Sequence, residues 1–171
     1  MPTSYQSPMR QDHESQRSKS QTVSLHELHA TVGDLLASKG RDVFSIKPGE
    51  TLGQAVKELR DKRIGALMVT DDSGALAGIL SERDIVRKLA ETPGQTLPQL
   101  VGDVMTCEVQ SCDPSEQLVT VLKRMTEGRF RHMPVLEDGA LVGMVSIGDV
   151  IHHRLNQLEY EALHLKQLIT G

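Results

Sequence analysis

The sequence predicts an α/β (α+β) fold of two tandem repeats, each a small sheet with flanking helices, packed about a pseudo-twofold axis. Two observations lead there. The stretch Gly74 to Ile85, GALAGILSERDI, returns about sixty-five residues later as Gly139 to Val150, GALVGMVSIGDV. The second observation is that the same order of patterns precedes each copy. Leu52, Ala55, Val56 and Leu59 fall at i, i+3, i+4, i+7, as do Leu118, Val121, Leu122 and Met125, so each unit carries an amphipathic helix with one apolar stripe. Neither unit is large enough to bury both faces of its sheet. The two are therefore expected to pack sheet against sheet.

In chain order, residues 1–22 are rich in Ser, Gln, Arg and Pro and read as a disordered leader. Val23, Leu25, Leu28 and Val32 are apolar enough to dock, as a short helix leading into a first repeat that spans 23–98. Val32-Gly33-Asp34-Leu35-Leu36 is answered by Val101-Gly102-Asp103-Val104-Met105, and Pro48 with Leu52 by Pro114 with Leu118. Ala66-Leu67-Met68-Val69 and His132-Met133-Pro134-Val135 read as strands. Turns follow them at Asp71-Asp72-Ser73-Gly74 and Glu137-Asp138-Gly139. Each copy therefore reads helix, short strand, helix, strand, turn, strand, helix, and the second spans 99–155.

Residues 156–171 extend the last helix. Ile151, Leu155, Leu158, Ala162, Leu165 and Ile169 recur at alternating intervals of four and three, a heptad seam that predicts a homodimer. The competing arrangement is a helix folded back on its own domain.

Composition excludes several function classes. No apolar run approaches the roughly twenty residues of a membrane span, and no signal-peptide core opens the chain, so a cytoplasmic location without membrane contact is expected. A net charge of -4 with interspersed signs argues against nucleic-acid binding. Cys107 and Cys112 read as reduced small residues in a chain without a secretory signal. His132, His152 and His153 lack a completing Cys or acid, and the adjacent pair diverges on a helix, so no metal is expected. There is no phosphate-binding Gly-x-x-x-x-Gly-Lys loop, no Gly-x-Gly-x-x-Gly, and no nucleophile with a placed base. Nothing in the residues points to an enzyme, and no catalytic residue is assigned.

What remains is the Ser-x-x-Asp pair closing each duplicated strand, Ser81 with Asp84 and Ser146 with Asp149. A carboxylate one turn into a helix can accept from two vicinal ribose hydroxyls, and the hydroxyl and helix N–H groups can donate to a phosphate. The same pattern is an ordinary helix N-cap. Its repetition, each time after a glycine-containing apolar strand, favours a ligand. With no Trp and only Tyr5, Phe44, Phe130 and Tyr160 as aromatics, a base would be held mainly by aliphatic and thioether side chains.

The doubled pattern, GILSERD at 78–84, RHMPV at 131–135 and GMVSIGD at 143–149, resembles the cystathionine-β-synthase (CBS) domain pair, or Bateman module, over about residues 31–155. The segment from Gln157 to Gly171 is similar to the C-terminal helix of small stand-alone bacterial members. The resemblance implies adenosine-ligand binding in two clefts between the repeats, with AMP, ADP, ATP, NAD(H) or S-adenosylmethionine as ligand in different members.

Carried over by residue, it implies a first cleft in which Ser81 and Asp84 hold phosphate and ribose. Val109, Gln110 and Ser111 form the opposite wall, with Arg131 and His132 near the phosphates and Met144 against the base. In the second, Ser146 and Asp149 face Phe44, Ser45 and Ile46, with Ile64, Gly65, Ala66 and Ile79 around the base. Arg83 is matched by Gly148, and Arg131-His132 by Gly65-Ala66, so the first cleft favours a phosphorylated ligand.

The expected function is an adenine-nucleotide sensor for signal transduction, with AMP, ATP or NAD(H) as regulatory ligand, no required cofactor, and an unknown protein partner. The alternatives are a structural or interaction module with vestigial clefts, one bound to nucleic acid through its leader, and a nucleotide-metabolising enzyme.

Overall fold

Thr31 opens the first helix with a capping box: its side chain accepts from the Asp34 N–H while the Asp34 carboxylate accepts from the Thr31 N–H at 2.8 Å. The computed structural model describes residues 30–170. The predicted leader and the positions Val23, Leu25 and Leu28 lie outside the described residues. Helix α1 (Val32–Lys39) is followed by β1 (Ser45–Ile46), α2 (Leu52–Lys62), β2 (Ala66–Thr70), β3 (Leu76–Ser81) and α3 (Glu82–Glu91). The second half runs α4 (Val101–Val104), α5 (Leu118–Gly128), β4 (His132–Glu137), β5 (Ala140–Ser146) and α6 (Ile147–Thr170).

The duplication holds down to single bonds. β2 and β3 pair antiparallel with Ala66 opposite Ser81, and β4 and β5 with His132 opposite Ser146. Both hairpins shift register at the same place, after Val69 and after Val135. Helices α2 and α5 both end on an arginine in the left-handed region, Arg63 at φ 54° and Arg129 at φ 57°. The Glu82 N–H then donates to the Gly65 carbonyl, and the Ile147 N–H to the Arg131 carbonyl. One difference appears: β1 pairs parallel to β2, whereas its counterpart shrinks to a single bridge between Cys112 and Val135.

The halves exchange their leading helices. Val32, Leu35 and Leu36 of α1 are buried with Leu118, Val121, Met125, Val135 and Val145 of the second repeat. Val101 of α4 is buried with Ile46, Leu52, Leu59 and Leu80 of the first. The backbone repeats this reciprocity: the Val32 N–H donates to the Glu116 carbonyl and the Leu118 N–H to Ala30, while Val101 donates to Glu50 and Leu52 to Gln99. So the helix that precedes the first repeat in sequence completes the core of the second, and the pseudo-twofold is built by mutual insertion. Each core would otherwise lose one apolar wall to water.

α6 continues past the second core, 24 residues or about 36 Å in length. Val150 is buried at its base. All six seam residues, Ile151 to Ile169, are exposed on the single chain, so the helix does not fold its apolar stripe back onto its own domain.

Candidate functional site

Ser81 ends β3 in extended backbone and caps α3, because a hydroxyl can satisfy a helix N–H that has no carbonyl partner. Its N–H and its hydroxyl both donate to Asp84 Oδ2, at 2.9 and 2.6 Å, and the Asp84 N–H donates back to Ser81 Oγ. The cap is thus fully formed. It engages the Ser81 proton, which the sequence reading assigns to a phosphate, and among the described residues leaves Asp84 Oδ1 with only the Arg87 guanidinium at 4.0 Å. The Asp84 side chain is 13% exposed, and it lines a cavity of about 470 Å³, within the size range of small-molecule sites.

The opposite wall is brought in by an interrepeat strand contact. Ile79 and Thr106 exchange two backbone hydrogen bonds, at 3.0 and 2.9 Å, so the chain leaving α4 crosses the free edge of β3. That crossing needs Gly78. A Cβ there would stand 2.8 Å from both Met105 Sδ and the Thr106 carbonyl oxygen. The crossing delivers Val109 and Gln110 to the cavity, where Arg83, Arg131 and His132 also meet Ser81 and Asp84. These predicted residues of the first cleft do come together.

Ser111 and Met144 are not among the lining residues. The Ser111 carbonyl instead accepts from Arg124, next to the Cys112–Val135 bridge, and Met144 lies on β5 opposite Pro134. Gly65 and Ile79, which the sequence assigns to the second cleft, line the first. Their place follows from the β2–β3 register, which sets Ala66 against Ser81 and so puts Gly65 beside the start of α3. Sequence reasoning misses Arg87, Glu108, Arg129 and Phe130. Phe130 directly precedes the RHMPV motif, and as one of only two phenylalanines it carried a signal.

Four arginines (83, 87, 129 and 131) face three acids (Glu82, Asp84 and Glu108) around the cavity. Arg83 is fixed by donating to the Arg129 carbonyl at 2.8 Å, which ties α3 to the end of α5. Burial pulls the His132 imidazole below its ordinary pKa, against the opposing pull of Asp149 and Glu82, so the ring is neutral at pH 7.

The second Ser-x-x-Asp has the same cap but different company. The Ser146 N–H donates to Asp149 Oδ2 at 2.9 Å and the Asp149 N–H to Ser146 Oγ at 3.1 Å. Lys39 Nζ also holds Asp149 Oδ2, at 2.8 Å. Burial opposes ionisation of Asp149, but the Lys39 and Ser146 bonds outweigh it and hold the carboxyl below its usual pKa. Of the facing residues, Ser45 is exposed and Phe44 carries Lys62 over its ring at 4.9 Å. Ile46 and Ala66 are 4% and 0% exposed, and Ile64 packs on the first core. Ile46 and Ala66 therefore have no side-chain surface to offer a base.

The family model of the CBS domain matches residues 32–91 and 101–156. The CBS domain-containing protein CBSX3, mitochondrial, of Arabidopsis thaliana is 34% identical over 149 residues, which cover 82% of this chain and 72% of that protein. The chain spans only about a quarter of the longer Arabidopsis protein CBSCBSPB2, at 28% identity and 26% coverage. Among solved structures, the CBS-domain containing protein ATU1752 of Agrobacterium tumefaciens is 42% identical. Its TM-score is 0.72, and the match covers 74% of this chain and 95% of that one. CBSX2 in complex with AMP is 26% identical with a TM-score of 0.65, covering 74% and 97%. No helix among the described residues is long and apolar enough to cross a membrane. Two matched repeats, reciprocal insertion of α1 and α4, and the paired Ser-x-x-Asp caps agree on one conclusion: the chain belongs to the CBS domain family, as a tandem CBS pair.

Proposed function

We infer that the protein is a regulatory module that binds an adenosine nucleotide in the cleft between Asp84 and the Thr106–Gln110 crossing. The observation that carries this reading is the Asp84 carboxylate. One oxygen is spent on the helix cap, the other has only the Arg87 guanidinium 4.0 Å away among the described residues, and the residue lines a cavity bordered by four arginines. An ionised acceptor beside guanidinium groups matches a ligand that presents hydroxyl donors and an anion a few ångströms apart, which is what a nucleoside phosphate does. Asp84 Oδ1 accepts from the ribose, Arg131 approaches the phosphate, and Ile79, Val109 and Phe130 give the base apolar contact. The structure of CBSX2 with AMP makes AMP the first ligand to try, with ATP and NAD(H) as comparators. The exposed seam on α6 supports a homodimer in which ligand state is passed to a protein partner.

Titration calorimetry tests the assignment. Asp84→Ala removes a charged acceptor and is expected to weaken AMP binding by roughly 1.5–3 kcal/mol. Arg131→Ala is expected to weaken AMP while leaving adenosine nearly unchanged. Parent-like AMP affinity in Asp84→Ala would remove the ribose site from this cleft.

A further inference from the structure

Every Asp, Glu, Lys and Arg between Ile151 and Ile169 stands directly beside the apolar seam of α6. Taking Ile151, Leu158 and Leu165 as heptad position d, and Leu155, Ala162 and Ile169 as a, puts Arg154 and Glu161 at g and Glu159 and Lys166 at e. The positions away from the seam, b, c and f, carry none of these charges; Asn156, Gln157 and Gln167 are among the residues there. A helix that met only water would place its charges on that far face. The burial agrees. Beyond Val150, what α6 half-buries on its own chain is the polar line His153, Gln157 and Glu161, while Leu155 and Ile169 of the seam are 53% and 84% exposed.

The flanking charges also choose an orientation. In a parallel, in-register pair each g residue faces the e residue five places further along the other helix. Arg154 then meets the partner's Glu159, and Glu161 meets the partner's Lys166. Both contacts are attractive, and the twofold axis repeats each. In a fully overlapped antiparallel pair Ile151 would lie against the partner's Ile169 and Leu158 against the partner's Ala162, with e facing e and g facing g. That sets Glu159 against the partner's Glu159 and Glu161 against the partner's Glu161. Like charges meet in one arrangement and opposite charges in the other.

We propose that α6 docks on α6 of a second copy of this chain as a parallel, in-register, two-stranded coiled coil, its direction set by the Arg154–Glu159 and Glu161–Lys166 pairs. The inference rests on the homodimer reading given above and adds its surface, direction and register. The orientation matters for the clefts. Val150 is buried in the second core, and the Ser146–Asp149 cap opens the first turn of α6. A parallel pair therefore holds both CBS modules at one end, with the two Asp149 caps on either side of the twofold axis. An antiparallel pair would part them to opposite ends of a seam about 27 Å long.

The test uses the full chain carrying Ile151→Cys and Ile169→Cys, with the exposed Cys107 replaced by Ser. All three positions are solvent-exposed, so the fold should survive, and circular dichroism checks it. The protein is equilibrated in a glutathione redox buffer and its disulfides are mapped by peptide mass spectrometry. Bridges from 151 to 151 and from 169 to 169 are expected, because a disulfide needs Cα atoms within about 7 Å. Bridges from 151 to 169 would overturn the parallel direction alone. A dimer in sedimentation that forms neither kind of bridge would overturn the α6 surface, and a monomer would overturn the homodimer reading with it. A second measurement needs no cysteine. Arg154→Glu should weaken the dimer by about five- to tenfold, and adding Glu159→Arg should restore it. An Arg154→Glu dimer of parental affinity, or one that Glu159→Arg does not rescue, would overturn the pairing.

Discussion

Gly78→Ala adds one methyl group where the two repeats touch most closely. Gly78 and its repeat counterpart Gly143 both have φ angles open to any residue, so what excludes a side chain is space. At Gly78 the added carbon would lie 2.8 Å from Met105 Sδ and 2.8 Å from the Thr106 carbonyl oxygen. A thioether can swing aside, but the carbonyl is fixed by the Ile79–Thr106 bonds. If the crossing stays, overpacking costs about 1–3 kcal/mol. If it lifts, two backbone hydrogen bonds worth about 1 kcal/mol each are lost. Restricting the unfolded chain returns about 0.4–1 kcal/mol, so either route leaves a net loss of about 1–2 kcal/mol.

The routes separate in hydrogen exchange, since only the second exposes the Ile79 and Thr106 amides. Both displace Val109 and Gln110, so AMP affinity should fall as well. Gly143→Ala, whose added carbon meets the Leu36 side chain first, should cost stability without touching the first cleft. A Gly78→Ala protein with parental stability, protected amides and unchanged AMP affinity would refute the role given to the crossing.

Three further outcomes follow from the structure. Leu36→Ala should destabilise by about 2–5 kcal/mol and raise exchange first in β4 and β5, because α1 belongs to the second core; loss confined to the first repeat in hydrogen exchange would contradict the exchange of helices. Burial holds the His132 pKa below its ordinary 6.5, so the unfolded chain takes a proton that the folded one refuses. Stability should therefore fall as pH drops below about 6.5, levelling once the folded pKa is passed, and His132→Gln should flatten that slope in urea melts. Replacing Leu158 and Leu165, 44% and 59% exposed, by Glu should leave circular dichroism and melting of the CBS pair intact while abolishing a dimer in sedimentation; a folded double mutant that stays dimeric would move the interface off α6.

The parts of this molecule legible in the sequence are those governed by near neighbours. Ser81 and Ser146 are seen because capping is decided within four residues, and the α2 and α5 stripes because helical period is local. The exchange of α1 and α4 was not legible. Val32, Leu35 and Leu36 show that a helix needs a core, but which core depends on contacts with residues from Leu118 to Val145, far along the chain. The cleft assignments divide along the same line. Ser81, Asp84, Arg131 and His132 belong to motifs legible in the sequence and line one cavity, whereas Glu108 and Phe130 enter it through the crossing at Thr106 and the left-handed turn at Arg129. The resemblance assigns Gly65 and Ile79 to the second cleft, but the β2–β3 register, which no short motif displays, sets them beside Ser81 in the first cavity. Lys39 at Asp149 was invisible for the same reason: 110 residues of chain separate the pair.

The nucleotide site is tested most directly by a crystal structure of the protein grown with saturating AMP. One well-occupied nucleotide is expected between α3 and the Thr106–Gln110 crossing. Its ribose should lie on Asp84 Oδ1, its phosphate toward Arg131 and its base against Phe130 and Ile79. Density only at Asp149, or an empty first cleft at saturating AMP, would contradict it.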